Sequence, residues 1–147
     1  MLGYLGKPDA TAEMIDSEGW LHTGDLGYYD TDGDVYIIDR LKELIKVKGL
    51  QVAPAELEEL LRAHPQIIDA AVIGIKDARL GEAPKAYIVQ KPGTPPIDVD
   101  EVKKYIADKV AKHKQLVGGV EIVESIPKNA TGKILRKVLR EKAQNQK

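Results

Sequence analysis

The chain has 147 residues, enough for one ordinary domain with a true core plus an appended piece, and its 43% hydrophobic and 31% charged composition is that of a folded protein. The absence of cysteine excludes disulfides, thiolate metal sites and a cysteine nucleophile, and no apolar run approaches the ~18 residues of a membrane span. The net charge of −1 hides an imbalance: residues 1–39 carry one base and nine acids, whereas residues 40–147 carry 21 bases and 14 acids, a switch that points to two structural units.

In chain order, residues 1–7 lack the charged start and long apolar stretch of a secretory leader. Residues 17–19 and 30–34 read as turns, because Asp and Gly tolerate the backbone angles required. Residues 35–38 form a short apolar strand, in a stretch with too few apolar residues to fold alone. A second strand is expected over 44–52, able to pair with the first as a hairpin. Pro54 suits the first turn of a helix with Leu57, Leu60 and Leu61 on one face, ended by His64-Pro65. Residues 67–75, dominated by Ile, Ala and Val, read as a buried strand, and the alternation over 85–91 reads as a further strand. Asp98 and Glu101 form a capping box, stapled by Ile97 and Val102, before a stripe of Val102, Tyr105, Ile106 and Val110. Gly118-Gly119 breaks the chain before a strand at 120–123, and a last helix runs from about 132 with Ile134, Leu135, Val138 and Leu139 inward. The order ββ-α-β-β-α-β-α predicts an α+β fold: a small domain with a two-stranded hairpin and a three-stranded sheet flanked by helices.

Few residues stand out chemically. Asp25 follows Gly24, and a carboxylate there can take two hydrogen bonds from a diol, although most such pairs are turns. His22 reads as a surface or packing histidine, and no histidine spacing suggests a metal. Lys42, Lys46 and Lys48 fall roughly on one strand face by period-two alternation, which also suits a solvated surface. Gly49 lets the backbone come close to a ligand while Lys48 neutralises phosphate. Lys133 follows a Thr-Gly pair at the start of the last helix, where cation and dipole together suit an anion. The basic run Lys133, Arg136, Lys137, Arg140 and Lys142 would also fit nucleic acid, but aromatics are sparse beside it and Leu135, Val138 and Leu139 commit the helix to packing.

Three segments in this order and spacing resemble the adenylate-forming (AMP-binding) enzymes, in the branch of the 4-coumarate–CoA ligases, acyl-CoA synthetases and firefly luciferases. They are Gly19-Trp20-Leu21-His22-Thr23-Gly24-Asp25, the run over 39–58 including Lys46-Val47-Lys48-Gly49-Leu50-Gln51, and Pro127-Lys128-Asn129-Ala130-Thr131-Gly132-Lys133-Ile134-Leu135-Arg136-Lys137. The resemblance implies a division into 1–39, the tail of a large amino-terminal AMP-binding domain, and 40–147, a carboxyl-terminal lid. It implies ATP-dependent joining of a carboxylic acid to coenzyme A through an acyl-adenylate, with release of AMP and pyrophosphate. Lys133 would touch the α-phosphate and carboxylate oxygens, Asp25 the ribose hydroxyls with Arg40 beside it, and Lys42 would be the hinge. After rotation about that hinge, Lys46 and Gln51 would hold the adenylate, and Lys48-Gly49 would line the path of coenzyme A. Magnesium would be bound mainly by the large domain.

The family's Ser/Thr/Gly-rich phosphate loop and acyl pocket are absent, so the chain alone is expected to be inactive. The partners implied are its own large domain and a small carboxylic acid, with no nucleic acid. A luciferase-type monooxygenase lid and a free-standing non-catalytic module are the alternatives. A cytoplasmic location is the default; the family includes peroxisomal members, but the chain ends in Asn145-Gln146-Lys147 rather than Ser-Lys-Leu.

Overall fold

The computed structural model describes residues 1–145; Gln146 and Lys147, part of the terminal tripeptide read above, lie outside the described residues. The chain divides into two compact units, Met1–Lys42 and Glu43–Lys147.

The first unit holds a helix, α1 (Pro8–Met14), and an antiparallel ribbon of β1 (Asp25–Tyr29) and β2 (Val35–Arg40). Pro8 opens α1 at a position where its missing N–H costs nothing. The turn of the ribbon forms where the acidic cluster predicted it: Asp30 Oδ1 accepts the N–H groups of Asp32 and Asp34, each at 3.0 Å. No residue of this unit is buried, in keeping with its shortage of apolar side chains. Neither α1 nor β1 was predicted. The helix has seven residues and no apolar stripe, and Gly27 interrupts the alternation of β1 at a register shift.

The second unit is a five-stranded mixed sheet of β3 (Ile45–Val47), β4 (Leu50–Val52), β5 (Ile67–Asp77), β6 (Gly81–Gln90) and β7 (Val120–Ile122). Helices α2 (Pro54–Arg62) and α3 (Val99–Ala107) cover one face, and α4 (Arg136–Asn145) the other. The long β5–β6 ladder is its spine. β5 takes one edge of β6 along its whole length. On the opposite edge β3 pairs at Gly81 and β7 runs parallel over residues 86–88. A hairpin of β3 and β4, not the one expected between 35–38 and 44–52, is joined to the β5, β6 and β7 strands through the Val47–Gly81 pair. Gly118 lets the approach to β7 lie against β6: its N–H donates to Pro84 O at 2.9 Å, and a Cβ there would stand 2.8 Å from that oxygen.

Alternation along β5 and β6 explains the two cores. Ala70, Val72, Ala86 and Ile88 face α2 and α3, meeting Leu57, Leu61, Val102 and Ile106. Ala71, Ile73 and Tyr87 face α4 and meet Leu139. Each buried leucine or isoleucine here contributes about 1.5–3 kcal/mol. Asp98 caps α3 as its position predicted, accepting the Asp100 N–H at 2.8 Å.

One buried ion pair locks α2, α4 and β5 together. Arg136 Nη2 lies 2.8 and 2.9 Å from the two carboxylate oxygens of Glu58. Glu58 Oε1 also accepts the Val72 N–H at 2.9 Å, and Arg136 Nε donates to Val72 O at 3.4 Å.

Three expectations are corrected. Residues 44–52 do not form one strand paired with 35–38: β2 pairs with β1, and the 44–52 stretch folds back on itself as the β3–β4 hairpin, because Lys48-Gly49 makes a turn. Lys42 and Lys48 consequently leave the face that carries Lys46: Lys42 sits in a 3-10 turn, Leu41–Glu43, and Lys48 in the hairpin turn. The last helix starts at Arg136 rather than 132, since residues 128–134 close into a loop of their own, and Leu135 and Val138 are exposed.

Candidate functional site

Lys133 lies on the loop between Ile126 and α4. Asn129 organises that loop through one side-chain oxygen, which accepts the Thr131 N–H at 3.1 Å, the Thr131 hydroxyl at 2.8 Å and the Lys133 N–H at 2.8 Å. Backbone bonds from Asn129 N to Lys133 O and from Leu135 N to Pro127 O close its base. Gly132 takes a φ of +81°, which its missing Cβ permits. The loop therefore has a fixed frame, while Thr131, Gly132 and Lys133 are exposed at its tip.

The charges around it separate Lys133 from its neighbours. Lys128 pairs with Asp69 at 2.6 Å, Arg136 with Glu58 and Arg140 with Glu43 at 2.8 Å, and Lys142 with Glu121 at 2.8 Å. No ion pair engages the Lys133 ammonium among the described residues. The basic run seen in the sequence is thus not a uniform positive face. Three of its five cations neutralise carboxylates of their own domain, and Lys137 makes only an exposed contact of 3.9 Å with Glu141. Lys133 does not sit in the first turn of α4 as expected, so the helix dipole is not what surrounds it.

A second group gathers on the β3–β4 hairpin. Lys46 and Gln51 are register partners, both exposed on one face. With a two-residue turn they form a non-hydrogen-bonded pair, the closer of the two antiparallel spacings. The turn itself is Lys48-Gly49, with φ of +51° and +81°. Positive φ at both central positions marks a type I′ turn, where Asn-Gly is usual. Lys48 is the one non-glycine residue with positive φ among the described residues, at a cost of about 1–2 kcal/mol. Its N–H donates to Leu80 O at 2.7 Å. Beside the turn lies a groove of about 520 Å³, whose lining includes Lys48, Leu50, Arg79, Leu80, Lys112 and His113.

The two groups occupy opposite ends of the sheet. The hairpin is anchored at Gly81, and the Lys133 loop at Asp69, the register partner of Val89. A rise of about 3.3 Å per residue leaves roughly 26 Å of β6 between these anchors.

In the first unit, Asp25 and Arg40 are register partners at the end of the ribbon, with Arg40 Nε 2.7 Å from Asp25 Oδ1. Arg40 Nη1 also reaches Thr23 O at 3.3 Å. His22 is exposed and pairs with Asp16 at 3.0 Å; the Trp20 N–H above all, and then His22, hold the Asp16 carboxyl below its ordinary range. Among the described residues no group of three His, Asp or Glu side chains is arranged to hold a metal ion. Among the described residues no helix is long and apolar enough to cross a membrane.

Sequence reasoning missed Asn129, the Glu58–Arg136 pair and Glu82, whose Oε2 accepts the Lys46 N–H at 2.7 Å. Asn129 carried a usable signal, lying two residues before a Thr-Gly step as asparagines in tight turns do. Glu58 and Arg136 lie 78 residues apart and carried none.

The chain matches the AMP-binding enzyme C-terminal domain over residues 56–133. It is 56% identical over 140 residues to 4-coumarate–CoA ligase 1 of Narcissus pseudonarcissus, covering 95% of this chain and 25% of that protein. It is 53% identical over 141 residues to luciferin 4-monooxygenase of Luciola mingrelica, covering 96% and 26%. Among solved structures, ATP-bound MatB from Rhodopseudomonas palustris superimposes with a TM-score of 0.90 at 34% identity, covering 98% of this chain and 28% of that one. The chain thus spans about a quarter of the length of the curated relatives it matches.

Proposed function

The chain belongs to the AMP-binding enzyme family through the C-terminal domain of that family, and from this premise we propose that it supplies the lid of an ATP-dependent acid–thiol ligase. In this reading residues 1–39 close the large AMP-binding domain, residues 40–147 are the lid, and Lys42 is the hinge. A carboxylate attacks the α-phosphate of ATP, its oxygen forming the new P–O bond as pyrophosphate leaves. Two anions meet in that step, so a fixed cation lowers its barrier. Lys133 supplies the cation: it is carried on a framed loop and makes no ion pair among the described residues where its neighbours are paired, and this is the observation that carries the proposal. Asp25, oriented by Arg40, takes the ribose hydroxyls.

The thiol of coenzyme A then attacks the acyl carbon and AMP leaves. For this step the lid presents its other end. Lys46 and Gln51 hold the adenylate, and Lys48-Gly49 borders the thiol's path. The adjoining groove, with Lys48, Arg79 and Lys112, suits the phosphates of coenzyme A. The strained backbone at Lys48 supports a role there, since a lysine is not what the turn itself favours. The substrate is a small carboxylic acid, magnesium accompanies ATP on the large domain, and the 147-residue chain alone is inactive. The comparable match to a luciferin monooxygenase favours a light-emitting oxidation as the second reading.

The test is a ligase assembled by joining this chain to the amino-terminal part of a 4-coumarate–CoA ligase. ATP–pyrophosphate exchange reports the first step, and thioester release from preformed acyl-adenylate reports the second. Lys133→Ala is expected to slow exchange by about 100–1,000-fold. Exchange at the parent rate would remove Lys133 from the reaction, and light from added luciferin would favour the second reading.

A further inference from the structure

The β3–β4 hairpin, which carries Lys46 and Gln51, is held to the rest of the sheet by few bonds. Its ladder to β6 has a single register pair, Val47–Gly81. Two N–H groups of β3 and its turn point toward β6, those of Lys46 and Lys48. Lys48 donates to a backbone acceptor, Leu80 O, at 2.7 Å. Lys46 donates instead to a side chain: its N–H lies 2.7 Å from Glu82 Oε2. The geometry points to Glu82 as the positioning residue of the second half-reaction. Its carboxylate takes the place of a ladder acceptor under Lys46 and fixes the face on which Lys46 and Gln51 stand. This inference rests on the reading of Lys46 and Gln51 proposed above.

Gly74 belongs to the same device. It lies across the β5–β6 ladder, its partner being Pro84, and on the diagonal from Glu82. A Cβ built on Gly74 would meet Glu82 Cδ at 3.1 Å, Glu82 Oε1 at 3.2 Å and Ile45 Cγ2 at 3.0 Å. The space that glycine leaves open is therefore filled by the Glu82 carboxyl and by Ile45 of β3 itself. Any side chain at position 74 would push on both supports of the hairpin. The Lys133 loop lies at the far end of β6 and shares none of these contacts.

The assembled ligase separates this role from a general effect on folding. Glu82→Ala removes the acceptor and is expected to lower kcat for thioester formation about tenfold, with adenylation within about twofold of the parent. Glu82→Gln keeps a side-chain oxygen and is expected to recover most of the lost rate, which a purely electrostatic role would not permit. Gly74→Ala should slow the same step and spare the other. In the 147-residue chain, amide exchange at Lys46 should accelerate in Glu82→Ala and return toward the parent value in Glu82→Gln. A slowed Lys46→Ala beside an unaffected Glu82→Ala would overturn this inference alone. Equal losses in both half-reactions for Glu82→Ala would also overturn it, as a structural effect. Thioester formation at the parent rate in both Lys46→Ala and Gln51→Ala would overturn the reading of the hairpin, and this inference with it.

Discussion

The side-chain oxygen of Asn129 holds the backbone N–H of Lys133 at 2.8 Å, while Lys133 O accepts the Asn129 N–H at 2.9 Å. The residue that frames the loop thus grips the main chain of the lysine at its tip and leaves the ammonium free to reach outward. Asn129→Ala keeps that lysine and removes its frame. Losing hydrogen bonds of this kind costs about 0.5–1.5 kcal/mol each. Adenylation in the assembled ligase should fall about tenfold, since about 1.4 kcal/mol of barrier is a factor of ten. Thioester formation should keep its rate. Asn129→Asp, which retains the acceptor, should lie between the parent and Asn129→Ala in pyrophosphate exchange.

Arg136→Ala should be a stability variant with a marked pH dependence. Burial pushes the Glu58 carboxyl above its ordinary value of 4.5, against the opposing pull of Arg136 and the Val72 N–H. Without Arg136 the carboxylate loses its counter-charge and that upward shift grows. The folded chain then holds its proton more tightly than the unfolded chain does. The stability Glu58 contributes is therefore fully present below pH 4.5 and is lost as pH rises through the folded value. Arg136→Ala should cost about 3–5 kcal/mol at neutral pH and less near pH 4.5. Urea unfolding at the two pH values measures the difference, and an equal cost at both would refute the electrostatic account.

Lys48→Asn should separate stability from activity. Asparagine tolerates the left-handed conformation that Lys48 adopts, and Asn-Gly is a preferred type I′ pair. The variant should be about 1 kcal/mol more stable by urea unfolding. It should also show a raised KM for coenzyme A in the assembled ligase, because a phosphate partner is gone. A more stable chain with an unchanged KM would take Lys48 out of the coenzyme A path.

Much of this was readable along the sequence because the signals were local. The α3 start was set by Asp98, and the α2 start by Pro54 with the leucine stripe behind it. The buried strand β5 was marked by its run of Ile, Val and Ala, and β6 by alternation from Lys85, although its start at Gly81 was not. The sequence misled where one residue reset the direction of the chain. Lys48 in a left-handed turn split an apparent strand into a hairpin, and a lysine there carries no turn signal. Loop closure by Asn129 delayed α4 by about a turn relative to its apolar pattern. Of the candidate site, the lysines were visible through spacing and motif. The groups that hold them, Glu82 beneath Lys46 and Glu58 behind Arg136, depend on residues 36 and 78 positions apart. Such contacts exist only once the sheet has formed.

The Glu58–Arg136 pair has a consequence for how the molecule meets its own copies. β5 lies at the margin of the sheet, and at Val72 both outward main-chain groups are already taken, the N–H by Glu58 and the carbonyl by Arg136. A strand offered by another molecule meets, at Val72, a donor and an acceptor that are already engaged. Two side chains thereby protect against edge-to-edge aggregation, a task proteins often leave to a bulge, a proline or an exposed lysine. In a crowded solution, then, the pair guards solubility as well as the fold.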